Sequence, residues 1–393
     1  MEQQKSLAQY AGKGIMIIAV VFFHAFIMSF ENHADSIAGF NPLVAVFPFL
    51  LSAFFFYAGY NYTPSEKTYG QLVARRAKQL LIPLVTAFVV SVTLISLMEI
   101  CFYFSKPENQ GWAGILQPIG NSVLYGLMSE PLAWMIHFPQ QGGIIFELIL
   151  SLGLLWFLLA LFVCSVFFYL LVKHTNKSLL VLLSVVAGLL LLAFVLCEFV
   201  NVYLPYSVGC YPVVLAIMLV GAYLRQRNFL ERPMDSKKAI ALQIANALIA
   251  EGLIIGTCFF CYYRFGSTTV GALPGGKFDD YAKGLDVFIT FAFGILGTYF
   301  LHTFCRLIVR IPVVGFCLSW VGQHSAFFYL FHPIFLDLAA ILIFRKTHPW
   351  GQGQAYFYVA IVVAMLTGVC LLIDFLVKKR KEKKQGLQTD SQE

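Results

Sequence analysis

What most constrains this chain is its succession of long apolar runs, joined by short segments that carry Lys and Arg. A helical run of about 20 apolar residues spans the hydrocarbon core of a bilayer. Ten such runs can be drawn, near residues 14–30, 43–62, 79–104, 144–172, 178–200, 208–224, 239–261, 285–304, 324–344 and 355–377. Only 12% of the 393 residues are charged, while 59% are hydrophobic. Soluble domains carry about twice that charged fraction, so most of this surface must face lipid. The predicted fold class is an all-α polytopic membrane protein with about ten transmembrane helices. The first run is too long for the apolar part of a cleaved leader and is read as a retained helix.

Orientation follows from the basic residues, which concentrate on the cytoplasmic side of membrane proteins. With both termini cytoplasmic, twenty-one Lys and Arg fall inside and six outside. That distribution also accounts for the net charge of +7 without a nucleic-acid partner, since the basic residues sit in short tracts between apolar runs. Residues 1–377 are read as one membrane-embedded unit, and 378–393 as a basic, polar cytoplasmic tail, disordered and able to touch anionic lipid. The outside loop 105–143 is long for a plain connection, which suits a lid or binding role. Stretch 311–323 is expected to lie along the inner interface as a short amphipathic helix. The nine Cys, scattered through apolar segments, do not form a disulfide framework and are read as buried thiols. Cys258 and Cys261 are separated by two Phe in an apolar helix, so no metal site is expected there or elsewhere.

Ionisable groups inside a bilayer are costly and mark functional candidates. His24 lies deep in the first run, eleven positions after Lys13. That spacing returns to nearly the same helix face about 16 Å further along the axis. An imidazole suits general-base work near neutral pH. A histidine bonded between helices, with Lys13 as a surface anchor, explains the same pattern. Arg75, Arg76 and Lys78 open the third run. They fit a phosphate grip, although a plain positive-inside signal accounts for them first. Ser325, Tyr329 and His332 are spaced four and three apart, one stripe of the ninth run, with Pro333 loosening the helix beside it. A polar seam between helices is the alternative. Glu147, Glu251, Asp337 and Asp374 are the other acids at membrane level. Glu251 and Asp337 need partners there, and Asp374 is read as an interfacial charge.

The stretches Lys13-Gly14 through His24, Phe54 through Gly59-Tyr60, Arg75-Arg-Ala-Lys78 with Leu81-Ile-Pro83, Trp156-Phe157-Leu158, and Gly322-Gln-His-Ser325 through His332-Pro333 follow one another in order. In this combination the chain resembles the acyltransferase-3 family of integral membrane acyltransferases, in its stand-alone sugar O-acetylase type. The family's basic residue before the first-helix histidine is usually Arg and is Lys13 here. The family's Trp-Ser-Leu-x-Glu-Glu motif is absent beyond Trp156-Phe157-Leu158, so the acceptor-side carboxylate is unassigned and Glu147 stands in for it.

The resemblance implies acetyl-CoA or another acyl-CoA arriving from the cytoplasm, with Lys13, Arg75, Arg76 and Lys78 on its phosphates. His24 would act as base or transient acyl carrier, together with His332 and Glu147. Ser325, Tyr329 and Trp156 would contact a sugar or glycan acceptor, in the inner or plasma membrane and without a metal. The competing class is a proton-coupled secondary transporter, because mid-membrane His, Glu and Asp also serve proton relays. Such a protein would show paired broken helices in two related halves, and no internal repeat is visible.

Overall fold

The computed structural model describes residues 2–30, 48–63, 68–104, 156–199, 209–265, 283–344 and 352–389. Among them are eleven helices and no strand. They are α1 (Glu2–Phe30), α2 (Leu50–Tyr60), α3 (Tyr69–Phe104), α4 (Trp156–Thr175), α5 (Leu179–Phe199) and α6 (Tyr211–Gln226). The rest are α7 (Lys237–Phe265), α8 (Lys283–Ile308), α9 (Pro312–Gln323), α10 (Ser325–Phe344) and α11 (Gln352–Thr389).

Every predicted run coincides at least in part with one of these helices, and stretch 311–323 is the separate helix α9. Five helical segments are individually long and apolar enough to cross a membrane: Phe157–Thr175, Leu179–Glu198, Lys237–Arg264, Gly284–Ile308 and Phe357–Lys379. The α9–α10 pair, bent by 79°, makes a sixth if counted as one broken span. α2 and α6 are shorter than a full crossing as described. Loop 105–143 and residues 144–155 of the fourth run lie outside the described residues. One expectation needs correction. The basic tail is helical and not disordered as far as Thr389, because α11 continues through it. Lys, Arg, Glu and Gln are good helix formers, so the helix has no reason to stop where the apolar residues do.

The bundle has its core at α2 and α6. Phe55, Phe56, Tyr57 and Tyr60 of α2 are buried, as is the unbroken run Val213 to Leu219 of α6. A helix apolar on all sides is one enclosed by others. The outer helices reverse the usual pattern and turn Leu, Ile, Val and Phe outward, among them Val85 and Val89, Leu180 and Leu183, Leu248 and Ile249, and Phe357 and Phe375. Such a surface suits lipid and not water.

Two pairs of helices meet backbone to backbone. A Cβ on Gly14 would strike the Leu318 carbonyl, and one on Gly322 would strike the Tyr10 carbonyl, so α1 and α9 cross where neither has a side chain. Gly59 and Gly221 do the same for α2 and α6, against the backbones of Met218 and Phe56. Lipid offers no hydrophobic drive for helix association, so contact of this kind, through small residues, carries the packing. Ser319 adds a hydroxyl bond to the Leu7 carbonyl at 3.1 Å.

Basic segments gather where α2, α6, α7 and α8 end or begin. The Arg225 guanidinium lies over the Tyr60 ring and pairs with Glu231. Arg306 donates to the Arg232 carbonyl at 2.8 Å and to Gln243 Oε1 at 3.1 Å. Gly322→Val is expected to lower the melting temperature of the detergent-solubilised protein, by the upper end of the roughly 1–3 kcal/mol that overpacking costs. Gly188→Ala, whose Cβ meets nothing within 4 Å, is expected to be neutral or slightly stabilising.

Candidate functional site

α1, α2, α3, α4 and α10 line a half-open cavity of about 590 Å³. Four of the five helices contribute residues at helical spacing, and α1 contributes one. α3 supplies Leu72, Arg75, Arg76, Gln79, Leu80 and Pro83, which form one face. α2 gives Phe54, Tyr57 and Ala58, with Asn61 just past its end, and α10 gives Ser325, Ala326, Tyr329 and Leu330. Lys13 comes from α1, and Phe157, Phe168 and Tyr169 from α4.

The wall therefore holds three cations, Lys13, Arg75 and Arg76, and no carboxylate among the described residues. Lys13 and Arg76 are close enough to repel each other. Arg76 Nη1 reaches only Gln79 Oε1, at 3.5 Å, and its buried Nε has no partner among the described residues. Like charges left facing one cavity favour an anionic occupant, and guanidinium is the group suited to bidentate phosphate contact. Lys78 falls off this face and is exposed.

Behind Tyr329 lies an imidazole pair. His24 Nδ1 is 3.0 Å from His332 Nε2, and the rings stack with centroids 5.1 Å apart. The local cause is Pro333. A proline has no N–H, so within α10 it leaves the carbonyl four residues back, that of Tyr329, without its helical donor. His332 Nδ1 fills the gap at 2.7 Å. A carbonyl only accepts, so Nδ1 carries the hydrogen and a neutral His332 presents a lone pair at Nε2. His24 must then donate through Nδ1, which leaves the basic lone pair of its own ring on Nε2. His332 is fully buried, whereas His24 is partly exposed. Tyr329 joins the pair to the cavity, lining the one and lying 5.9 Å, ring to ring, from His332.

Of the predicted residues, Lys13, Arg75, Arg76, Ser325 and Tyr329 share the cavity wall, and His24 meets His332 directly. Glu147 lies outside the described residues, as do the side chains of Trp156 and Asp337. Glu251 is buried on α7, both carboxylate oxygens without a partner among the described residues, and does not line the cavity. Asp374 meets His324 at 3.1 Å. Two further residues, Tyr57 and His302, join the site's surroundings. Tyr57 lines the cavity, and its hydroxyl lies 3.2 Å from Nδ1 of His302 on α8, both buried. The rule that singles out His24, a titratable group within an apolar run, applies equally to His302.

Fold and site together define a polytopic membrane protein with a cationic cavity between its helices and an adjoining histidine pair. The sequence sets the family. A family model described as an acyltransferase domain matches residues 11–374, nearly the whole chain. The chain belongs to the acyltransferase-3 family and is a membrane acyltransferase. No curated protein and no solved structure matches it.

The geometry separates two members of the α10 stripe that share a helix face. With exposed Cys317 replaced by Ser, Ser325→Cys is expected to react with a small polar thiol reagent. His332→Cys is expected to stay unlabelled, because His332 has no accessible surface. Equal labelling rates would contradict this division.

Proposed function

We propose that the protein transfers an acetyl group from cytoplasmic acetyl-CoA to a hydroxyl of a sugar or cell-surface glycan in the inner or plasma membrane. The observation that carries this reading is a cavity wall with three cations and no carboxylate among the described residues, beside a histidine pair of defined hydrogen-bond order. Coenzyme A is the polyanion such a wall would bind, with its phosphates on Lys13, Arg75 and Arg76. Lys13 and His24 are eleven residues apart on the continuous helix α1. The resulting rise of about 16 Å suits the pantetheine arm between phosphate and thioester.

In the transfer, His24 Nε2 takes the acceptor hydroxyl's proton as its oxygen attacks the thioester carbonyl. The carbon–sulfur bond breaks, and the proton returns to the departing thiolate. Free coenzyme A and an O-acetyl ester result. His332 holds the His24 ring in the tautomer that keeps Nε2 basic, the role a carboxylate takes in a serine-hydrolase triad. A dry helical surround limits hydrolysis of the thioester. The bent α9–α10 pair resembles the broken helices of transporters, but no second bent pair occurs among the described helices.

His24→Gln keeps size and hydrogen bonding but removes basicity. It is expected to fold and bind acetyl-CoA while transfer falls at least about a hundredfold. Label transfer from acetyl-CoA in purified protein measures this, and near wild-type transfer would end the catalytic assignment. Arg75→Ala and Arg76→Ala should each weaken acetyl-CoA binding about tenfold, as expected for loss of a charge-assisted contact of roughly 1.5–3 kcal/mol. Unchanged affinity in both would leave these residues as topology signals. The direction of transfer requires both termini in the cytoplasm and loop 105–143 outside. Reporter fusions at residue 393 and within the loop should read opposite compartments.

A further inference from the structure

A second cluster of ligand-type groups lies outside the cavity. His324 is the single residue between α9 and α10, at the 79° corner. Its Nδ1 is 2.9 Å from the Trp320 carbonyl, and its ring packs on the Trp320 indole with centroids 4.5 Å apart. A carbonyl accepts only, so Nδ1 bears the hydrogen and Nε2 turns its lone pair to the other side. On that side Nε2 meets a carboxylate oxygen of Asp374 at 3.1 Å. Two lone-pair atoms at this distance need either a shared proton or a metal ion between them. Cys370 precedes Asp374 by four residues on α11, which sets both on one helix face. The ligand atoms of His324, Cys370 and Asp374 all lie within 4.8 Å of one another.

We propose that His324 Nε2, the Cys370 thiolate and the Asp374 carboxylate bind a divalent transition-metal ion of the zinc class, which clamps the α9–α10 corner to α11. A proton bridge between His324 and Asp374 has no use for the buried thiol, whereas one nitrogen, one sulfur and one oxygen form a donor set that suits zinc. The charges close as well, since a thiolate and a carboxylate neutralise a divalent ion at the edge of an apolar bundle. The bond from His324 Nδ1 to a backbone carbonyl is the outer contact by which ligating histidines are fixed in tautomer and orientation. Asp374 is half exposed, giving the ion a route from solvent, while Cys370 is buried. The next residue after His324 is Ser325, where the cavity-lining stripe of α10 begins. The ion's role is therefore to position that stripe, and the site stands whether or not the acyl donor is acetyl-CoA. The sequence carries no metal-binding spacing here because the ligands come from two distant segments.

The test uses the full chain in detergent, with purification tags removed and metal stripped by chelation. Titrated Co²⁺ is expected to bind at one equivalent with a thiolate-to-cobalt charge-transfer band, and Zn²⁺ to displace it. Cys370→Ser should abolish the band, and His324→Gln and Asp374→Asn should each weaken Zn²⁺ binding at least about tenfold. Asp374→Cys, which keeps a ligand at that position, should still bind. This separates ligand loss from misfolding. A band that is absent from the wild type or persists in Cys370→Ser would overturn the proposal. So would Zn²⁺ affinity that is equal in the wild type and all three ligand-removing variants.

Discussion

Two glycine crossings, Gly14 with Gly322 and Gly59 with Gly221, fix the frame on which everything else in this protein hangs. In water, burying apolar side chains would drive α1 onto α9 and α2 onto α6. In a bilayer those side chains are as well solvated by lipid as by one another, so close backbone approach must supply the attraction. The consequences are local to the site. Clamping α1 along α9 sets the height of Lys13, one residue before the crossing, and carries His24 three turns further to α10. Seating α2 against α6 buries Tyr57 and Tyr60 and turns the face of Phe54, Tyr57 and Asn61 toward the cavity.

Within that frame the histidine pair depends on a defect. Pro333 removes one helical donor, and the orphaned Tyr329 carbonyl would be costly inside an apolar bundle. His332 answers it through Nδ1, and in doing so is oriented with Nε2 toward His24. One missing N–H thus sets the tautomer of His332, and through the hydrogen bond that of His24. The arrangement explains why a His-Pro step, normally a poor choice within a helix, is useful here.

Much of this was legible in the chain, for reasons specific to membranes. The apolar runs announce themselves because water cannot reach the span, and the isolated α9 helix shows because Pro312 and the basic residues before it interrupt the pattern. Lys13, Arg75, Arg76, Ser325 and Tyr329 could be picked out as polar groups at helical spacing within apolar sequence. What could not be read is who faces whom. That His24 meets His332 and not Ser325 depends on the rotation of α1 about its axis, which the glycine crossing decides and spacing does not. Tyr57 stayed hidden because a tyrosine among aromatics looks like core, and only its approach to His302 marks it out. Charge alone does not mark where the last helix ends, because a helix already started continues through Lys and Arg at little cost.

The corner between α9 and α10 joins the glycine-crossed frame to the site. α9 is held to α1 through Gly322 and Ser319, and α10 carries both the cavity stripe and His332. The 79° bend has a single residue, His324, between the helices, its N–H donating to the Trp320 and Val321 carbonyls and its carbonyl accepting from Phe327 and Phe328, so any swing of α10 on α9 would turn about this residue. Any swing would move Ser325, Tyr329 and His332 together relative to Lys13 and His24, and a misplacement of about 1 Å at a reacting centre can cost a hundredfold in rate. The residue at the joint is His324, and its side chain is the one tied both to the preceding turn, through Trp320, and to α11, through Asp374. A cross-link at that point stiffens the joint without entering the cavity, so the α10 stripe can be held in register with α1 while the cavity keeps its room for a ligand.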